Sequence, residues 1–215
     1  MAAQRRTHRG ERRRSLGQNF LRAELAERWI EAANLRAGEL VLEIGPGAGA
    51  VTFALARRGV EVVAVERDPE LARGLRAQLA RRRVQGVRVL EADVRALALP
   101  RRPFRAIGAL PFGATTDILR KLFDDPGTPL ERADLIVQWE VARKRAESPP
   151  RTLLSTVWAQ WWEFELGFRI PASAFKPVPS VDAATLAVTR RAAPLLPSSA
   201  ARDYAEFVRA RWPFA

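Results

Sequence analysis

The sequence predicts an α/β fold: a doubly wound, mostly parallel sheet covered by helices, with an antiparallel hairpin at one edge. Three observations carry this. Short apolar runs at residues 41–44, 61–65, 87–90, 104–108 and 135–138 alternate with stretches of helical spacing. The first run leads into Glu43-Ile44-Gly45-Pro46-Gly47-Ala48-Gly49, a strand ending in a glycine loop that resumes as a helix. Lastly, residues 163–170 and 182–189 alternate as strands with no helix between them, which suggests a hairpin rather than a crossover.

The elements follow in order. Residues 22–35 place Leu25, Ala26, Trp29, Ile30 and Ala33 on one helical face. The helix over 50–58 ends at Gly59, a residue suited to the left-handed stop. Asp68-Pro69 supplies an N-cap and a first-turn proline for a helix to about residue 82. The third strand ends at Glu91-Ala92-Asp93, and the fourth leads into Ala109-Leu110-Pro111-Phe112-Gly113. Helices are expected over 115–123 and 152–162, the second with Leu154, Val157, Trp158 and Trp161 on one stripe. A Pro/Ser-rich linker at 194–199 precedes a last helix at 200–211. The expected organisation is a basic, disordered arm at 1–14, a main domain at 15–193, and a helical appendage at 194–215.

Composition narrows the function. The chain has 215 residues, 47% of them hydrophobic, enough for one well-packed domain. It contains no cysteine, so disulfides and thiolate metal sites are excluded. The single histidine, His8, lies in the charged arm, and no metal is expected. No apolar run approaches the length of a membrane span, and the N-terminus is too charged for a signal peptide. A cytoplasmic monomer is the expectation. The net charge of +12, carried mostly by arginine, points to a polyanion, most often nucleic acid. The arm contributes Arg5, Arg6, Arg9, Arg12, Arg13 and Arg14, and a second cluster is Arg143-Lys144-Arg145.

Strand, glycine loop and helix let a backbone approach a nucleotide-like ligand without Cβ interference. Glu66, at the end of the next strand, is placed to accept hydrogen bonds from ribose hydroxyls. Pro46 cannot donate an N–H to a pyrophosphate, and Glu43 adds negative charge where phosphate would sit. A cationic ligand such as S-adenosylmethionine fits that pattern better than a dinucleotide.

These stretches together resemble the rRNA adenine N6-dimethyltransferases, and within them the erythromycin-resistance (Erm) branch. The resemblance is carried by Gln18-Asn19-Phe20-Leu21, the Glu43–Gly49 motif, Val65-Glu66, Ala92-Asp93 and Leu110-Pro111-Phe112-Gly113. The segment Phe175-Lys176-Pro177-Val178-Pro179-Ser180-Val181-Asp182 completes it, so the likeness spans roughly residues 15 to 210. It implies a Rossmann-like methyltransferase domain using S-adenosylmethionine. Asn19 and Leu21 would contact the methionine part, Gly45 and Gly47 would hug the cofactor, Glu66 would hold the ribose, and Asp93 would accept from the adenine amino group. Phe112 would stack on the target base beside Leu110 and Pro111, and the Leu110 carbonyl is a candidate acceptor for its amino group. The implied substrate is one adenine of 23S rRNA, and the implied consequence is resistance to macrolides, lincosamides and streptogramin B.

Two departures stand out. The family motif opens with Asn where this chain has Ala109, so a side-chain acceptor at the cofactor and target amino group is missing. Losing one positioned polar group of this kind costs about 10²–10³ in rate. The family also ends in a helical domain of which only the opening helix is recognisable in this chain. The alternatives left open are a small-subunit rRNA dimethyltransferase and an RNA-binding protein that keeps the cofactor fold without turnover. A dinucleotide oxidoreductase is disfavoured by Pro46.

Overall fold

The computed structural model describes residues 19–212. The arm with its six arginines and His8 lies outside them. A seven-stranded sheet forms the centre, built from β2 (Leu40–Ile44), β3 (Glu61–Glu66), β4 (Val87–Glu91), β5 (Phe104–Ala109), β6 (Leu130–Gln138), β7 (Trp162–Ile170) and β9 (Ala183–Arg190). Its spatial order is β4-β3-β2-β5-β6-β9-β7. The first five of these are mutually parallel, while β9 runs antiparallel to both β6 and β7. The expected edge hairpin is therefore present, with β7 outermost.

Two short strands, β1 (Phe20–Leu21) and β8 (Phe175–Lys176), form a separate antiparallel pair. Neither is among the strands expected from the sequence. Two residues are too few to show a period, and only their partner across 155 positions makes them strands. Arg22 N donates to Ala174 O at 3.1 Å and extends the clasp.

The helices are α1 (Ala23–Ala32), α2 (Ala50–Arg57), α3 (Pro69–Arg81), α4 (Thr115–Phe123), α5 (Trp139–Arg145), α6 (Leu153–Trp158) and α7 (Ala201–Arg211). One face of the sheet packs on Ala26, Trp29 and Ile30 of α1, Val51, Ala54 and Leu55 of α2, and Ala72, Leu75 and Leu79 of α3. The opposite face packs on Ile118, Leu119, Leu122 and Phe123 of α4 together with Trp158, Trp161, Trp162 and Val208. The Asp68 carboxylate accepts from Glu70 N at 2.9 Å and caps α3, as its sequence signal requires.

Three boundaries depart from the sequence reading. The fifth strand begins at Leu130, not at 135, because its polar half, Leu130-Glu131-Arg132-Ala133-Asp134, satisfies its charges in place. Asp134 accepts from Arg105 Nη2 at 2.6 Å and from Arg132 Nη2 at 2.8 Å. Helix α5 follows β6 directly, with no turn residue to announce it. The helix expected to reach Trp162 stops at Trp158. Trp161 O instead accepts from Arg191 N at 2.8 Å, and Trp162 pairs with Arg190 as the first residue of β7. Strand pairing overrides helical periodicity there.

Arg105 and Asp134 are both buried, and Arg105 also donates to the carbonyl of Ala33 at 2.8 Å. The pair thus ties β5 and β6 to the end of α1. Removing one member leaves the other a buried charge with only its second partner, Glu39 at 3.5 Å for Arg105 or Arg132 at 2.8 Å for Asp134. Asp134→Ala is expected to lower unfolding free energy by about 3–5 kcal/mol, measured as a shift in the urea midpoint.

Candidate functional site

The chain runs β2-β3-β4 toward one edge of the sheet and β5-β6 toward the other, so the carboxyl ends of β2 and β5 flank a topological switch point. Ligands of doubly wound sheets bind in the crevice at such a point. A cavity of about 480 Å³ occupies it, a volume suited to a cofactor-sized ligand. Its lining includes Asn19, Gly45, Gly47, Glu66, Asp93, Ala109, Leu110, Pro111 and Phe112, from the motifs that carry the resemblance, and none of the Arg143-Lys144-Arg145 cluster.

The glycine loop is fixed by its neighbours. Gly47 N donates to Glu66 Oε2 at 3.0 Å, and Asp68 N donates to Glu66 Oε1 at 2.8 Å. Gly47 has φ +56°, and a Cβ there would lie 2.8 Å from the Phe20 ring, so a side chain is excluded twice over. On the other wall, a Cβ on Gly108 would fall 2.5 Å from Ile44 O, which lets β5 press against the end of β2.

Glu66 is buried, and its pKa is raised chiefly by that burial, with the backbone N–H groups of Asp68, Gly47 and Arg67 opposing the shift. Each carboxylate oxygen accepts only one bond of its capacity, so lone pairs remain for ligand hydroxyls. Asp93 is the opposite case. Arg95 grips it with Nε at 3.0 Å from Oδ1 and Nη2 at 2.6 Å from Oδ2, and this hydrogen bonding lowers its pKa to about 2. Asp93 is therefore an ionised acceptor at neutral pH. Arg95 reaches on to Asp117 of α4 at 3.3 Å.

Glu43 departs from expectation. It is 1% exposed, and desolvation raises its pKa from an ordinary 4.5 to about 8. At neutral pH it is protonated, so it does not supply the negative charge read from the sequence. Thr52 Oγ1 donates to its Oε1 at 3.0 Å.

The other assigned residues divide. Leu21 is buried beneath the loop and does not line the main cavity. Leu110 is buried too, while Phe112 opens a 3₁₀ turn over residues 112–114 and is half-buried at the cavity wall. Of the basic cluster, Arg143 pairs with Glu140 at 2.9 Å and Lys144 is exposed. Arg145 turns inward, donating to Thr152 Oγ1 at 2.6 Å and lying over the Trp158 ring. Sequence reasoning missed Arg95, Arg67, Asp68 and Phe175 at the cavity. Phe175 stood within a quoted motif, but the turned-in position of Arg95 had no local signal. Among the described residues no cluster of His, Asp or Glu could hold a metal ion, and no helix is long and apolar enough to cross a membrane.

The family model for ribosomal RNA adenine dimethylase matches residues 9–212. The chain belongs to this family. Among its relatives is the mycinamicin-resistance protein MyrB of Micromonospora griseorubida, 39% identical over 198 residues, which cover 92% of this chain and 62% of that protein. An rRNA adenine N-6-methyltransferase of Corynebacterium diphtheriae is 38% identical across 87% of this chain and 72% of its own length. The chain thus spans roughly two thirds of the length of these two relatives. The crystal structure of the 23S rRNA methyltransferase ErmE superposes with a TM-score of 0.78 at 36% identity, covering 89% of this chain and 78% of that one. A dimethyladenosine transferase from Plasmodium falciparum shares the fold, with a TM-score of 0.72 at 18% identity and coverage of 81% and 64%.

The Glu43 shift has a consequence for stability in this dimethylase fold. Glu43 ionises near 4.5 when unfolded and near 8 when folded, so between these values unfolding releases a proton. Its contribution is complete below pH 4.5 and declines as pH rises toward 8, by up to about 1.4 kcal/mol per unit. Glu43→Gln is expected to flatten this decline and to raise the melting temperature at pH 8 relative to the parent chain, as read by calorimetry from pH 5 to 8.5.

Proposed function

We propose that the protein methylates N6 of an adenine in 23S rRNA, with S-adenosylmethionine as methyl donor, and so protects ribosomes from macrolide-type antibiotics. The observation that carries this reading is the meeting, in one cavity, of the Gly45–Gly47 backbone, Glu66, Asp93 and the Leu110-Pro111-Phe112 turn. The names of its relatives support the choice of rRNA adenine and of resistance.

The residues present fit the cofactor. Glu66 retains acceptor capacity for two adjacent ribose hydroxyls, and ionised Asp93 suits an exocyclic amino donor. The loop, bare of Cβ atoms, admits close backbone approach. When bound, S-adenosylmethionine supplies an electrophilic methyl group on a positively charged sulfur. The protein's part is alignment. The N6 lone pair is delocalised into its ring, so acceptors that hold the amino hydrogens favour tetrahedral geometry at nitrogen. With the cofactor bound, N6 would take up the methyl group as the C–S bond breaks, and the amino group would lose a proton to solvent. Phe112 offers a face for a base drawn out of its stack, a contact worth about 1–3 kcal/mol.

Asn19 lines the same cavity beside Gly45 and is the polar side chain placed for the methionine end. The exposed cations at Arg143 and Lys144, with the arm, are proposed to hold the RNA backbone. Ala109 slows transfer, because its methyl group accepts no hydrogen bond.

Radiolabelled methyl transfer to protein-free 23S and 16S rRNA tests the reading. Label is expected in 23S rRNA at a slow rate, with Ala109→Asn raising that rate by at most about 10²–10³-fold. Label confined to 16S rRNA assigns the chain to the small subunit. Cofactor binding without transfer by either chain makes it an RNA-binding protein. Separately, Glu66→Ala is expected to weaken S-adenosylmethionine binding at least tenfold in calorimetric titration, with little change in fold by circular dichroism.

A further inference from the structure

A second, smaller space lies under the glycine loop, about 40 Å³ in volume, and shares Asn19, Gly45 and Ala109 with the main cavity. Among the described residues its polar side chains are Asn19 and Glu43. In the sheet register Glu43 sits opposite Ile107 of β5, so its side chain leaves on the face that Ala109, two residues on, also presents. Glu43 Oε1 is taken by Thr52, whereas Oε2 is fully buried and has no hydrogen-bond partner. A buried polar atom of this kind is costly unless a ligand or an ordered water satisfies it. The volume suffices for one water, and Glu43 and Asn19 supply two of the polar partners that a buried water needs.

We propose that Glu43 is a positioning residue which, through one water held in this space with Asn19, presents the hydrogen-bond acceptor that position 109 lacks. The water accepts from the protonated Oε2 and keeps its second lone pair for an amino hydrogen at the Ala109 side of the cavity. A carboxamide at position 109 would fill the same role directly and make the water redundant. The inference rests on the methyltransferase reading, and it would let transfer proceed in a chain whose motif has lost its side-chain acceptor. Repulsion from Glu66 adds to burial in raising the pKa of Glu43.

The test is a double-mutant cycle on the full chain with 23S rRNA, using Glu43→Met, Ala109→Asn and their combination. Glu43→Gln serves as the conservative rescue, since its amide also donates to a water. Glu43→Met is expected to lower kcat at least tenfold with Ala109 present and less than threefold with Asn at 109, leaving KM for the cofactor nearly unchanged. Glu43→Gln is expected to restore most of the loss. Equal losses in both backgrounds would mean a structural role for Glu43 and would overturn the proposal. Transfer by Ala109→Asn alone, with none by the parent chain, overturns it while the methyltransferase reading stands. Transfer by none of the variants removes both. Should Glu43→Met fail to fold, a high-resolution crystal structure of the parent chain decides. One water bound to Oε2 beside Ala109 supports the proposal, and its absence overturns it.

Discussion

The site depends on one carboxylate. Glu66 ends β3 with both oxygens accepting backbone N–H groups, from Gly47 across the crevice and from Asp68 two residues ahead. The first bond pins the glycine loop at the carboxyl end of β2, and the second sets the turn from which α3 departs with Asp68 as its cap. Backbone donors hold the carboxylate in place with their dipoles, so its position does not rely on a flexible partner side chain. Loop and carboxylate are thus fixed by backbone contacts of the chain itself, which would reduce the ordering that ligand binding imposes there.

Burial sorts the remaining charges into two kinds. Arg105 and Asp134 are compensated pairwise, and with Arg132 they allow a polar stretch to serve as a central strand. Glu43 is compensated by neutralisation instead, since among the described residues it forms no ion pair with a cation. The two solutions differ in their consequences. A paired charge makes the core intolerant of losing either partner, while a protonated carboxyl makes it sensitive to pH and leaves a donor facing the active-site floor.

The basic surface is less uniform than its net charge suggests. Many arginines are committed to structure: Arg190 donates to the carbonyls of Leu130, Pro126 and Thr128, Arg76 to Val89 O, and Arg145 to two hydroxyls. Others pair with acids on the surface, as Arg143 does with Glu140 and Arg102 with Glu61. Such exposed pairs are worth little in stability and can exchange partners with phosphate. The cations available to a polyanion are thus fewer than composition alone implies.

By itself the sequence determined the alternation of strands and helices, the glycine loop, the capped start of α3 and the edge hairpin. Each is written in local patterns of apolar period, glycine, proline and capping residues. That Glu66, Asp93 and Phe112 would meet at one crevice was legible for the same reason, since each lies at or just beyond the carboxyl end of a recognisable strand. The tertiary structure alone decided the strand order that brings β2 beside β5, and the clasp of Phe20-Leu21 against Phe175-Lys176. It also decided the extension of β6 through Glu131, Arg132 and Asp134, the inward turn of Arg145, and the protonation of Glu43. These depend on partners distant in sequence and on desolvation. Neither leaves a periodic trace along the chain, because the energy of a buried charge is set by what surrounds it in space.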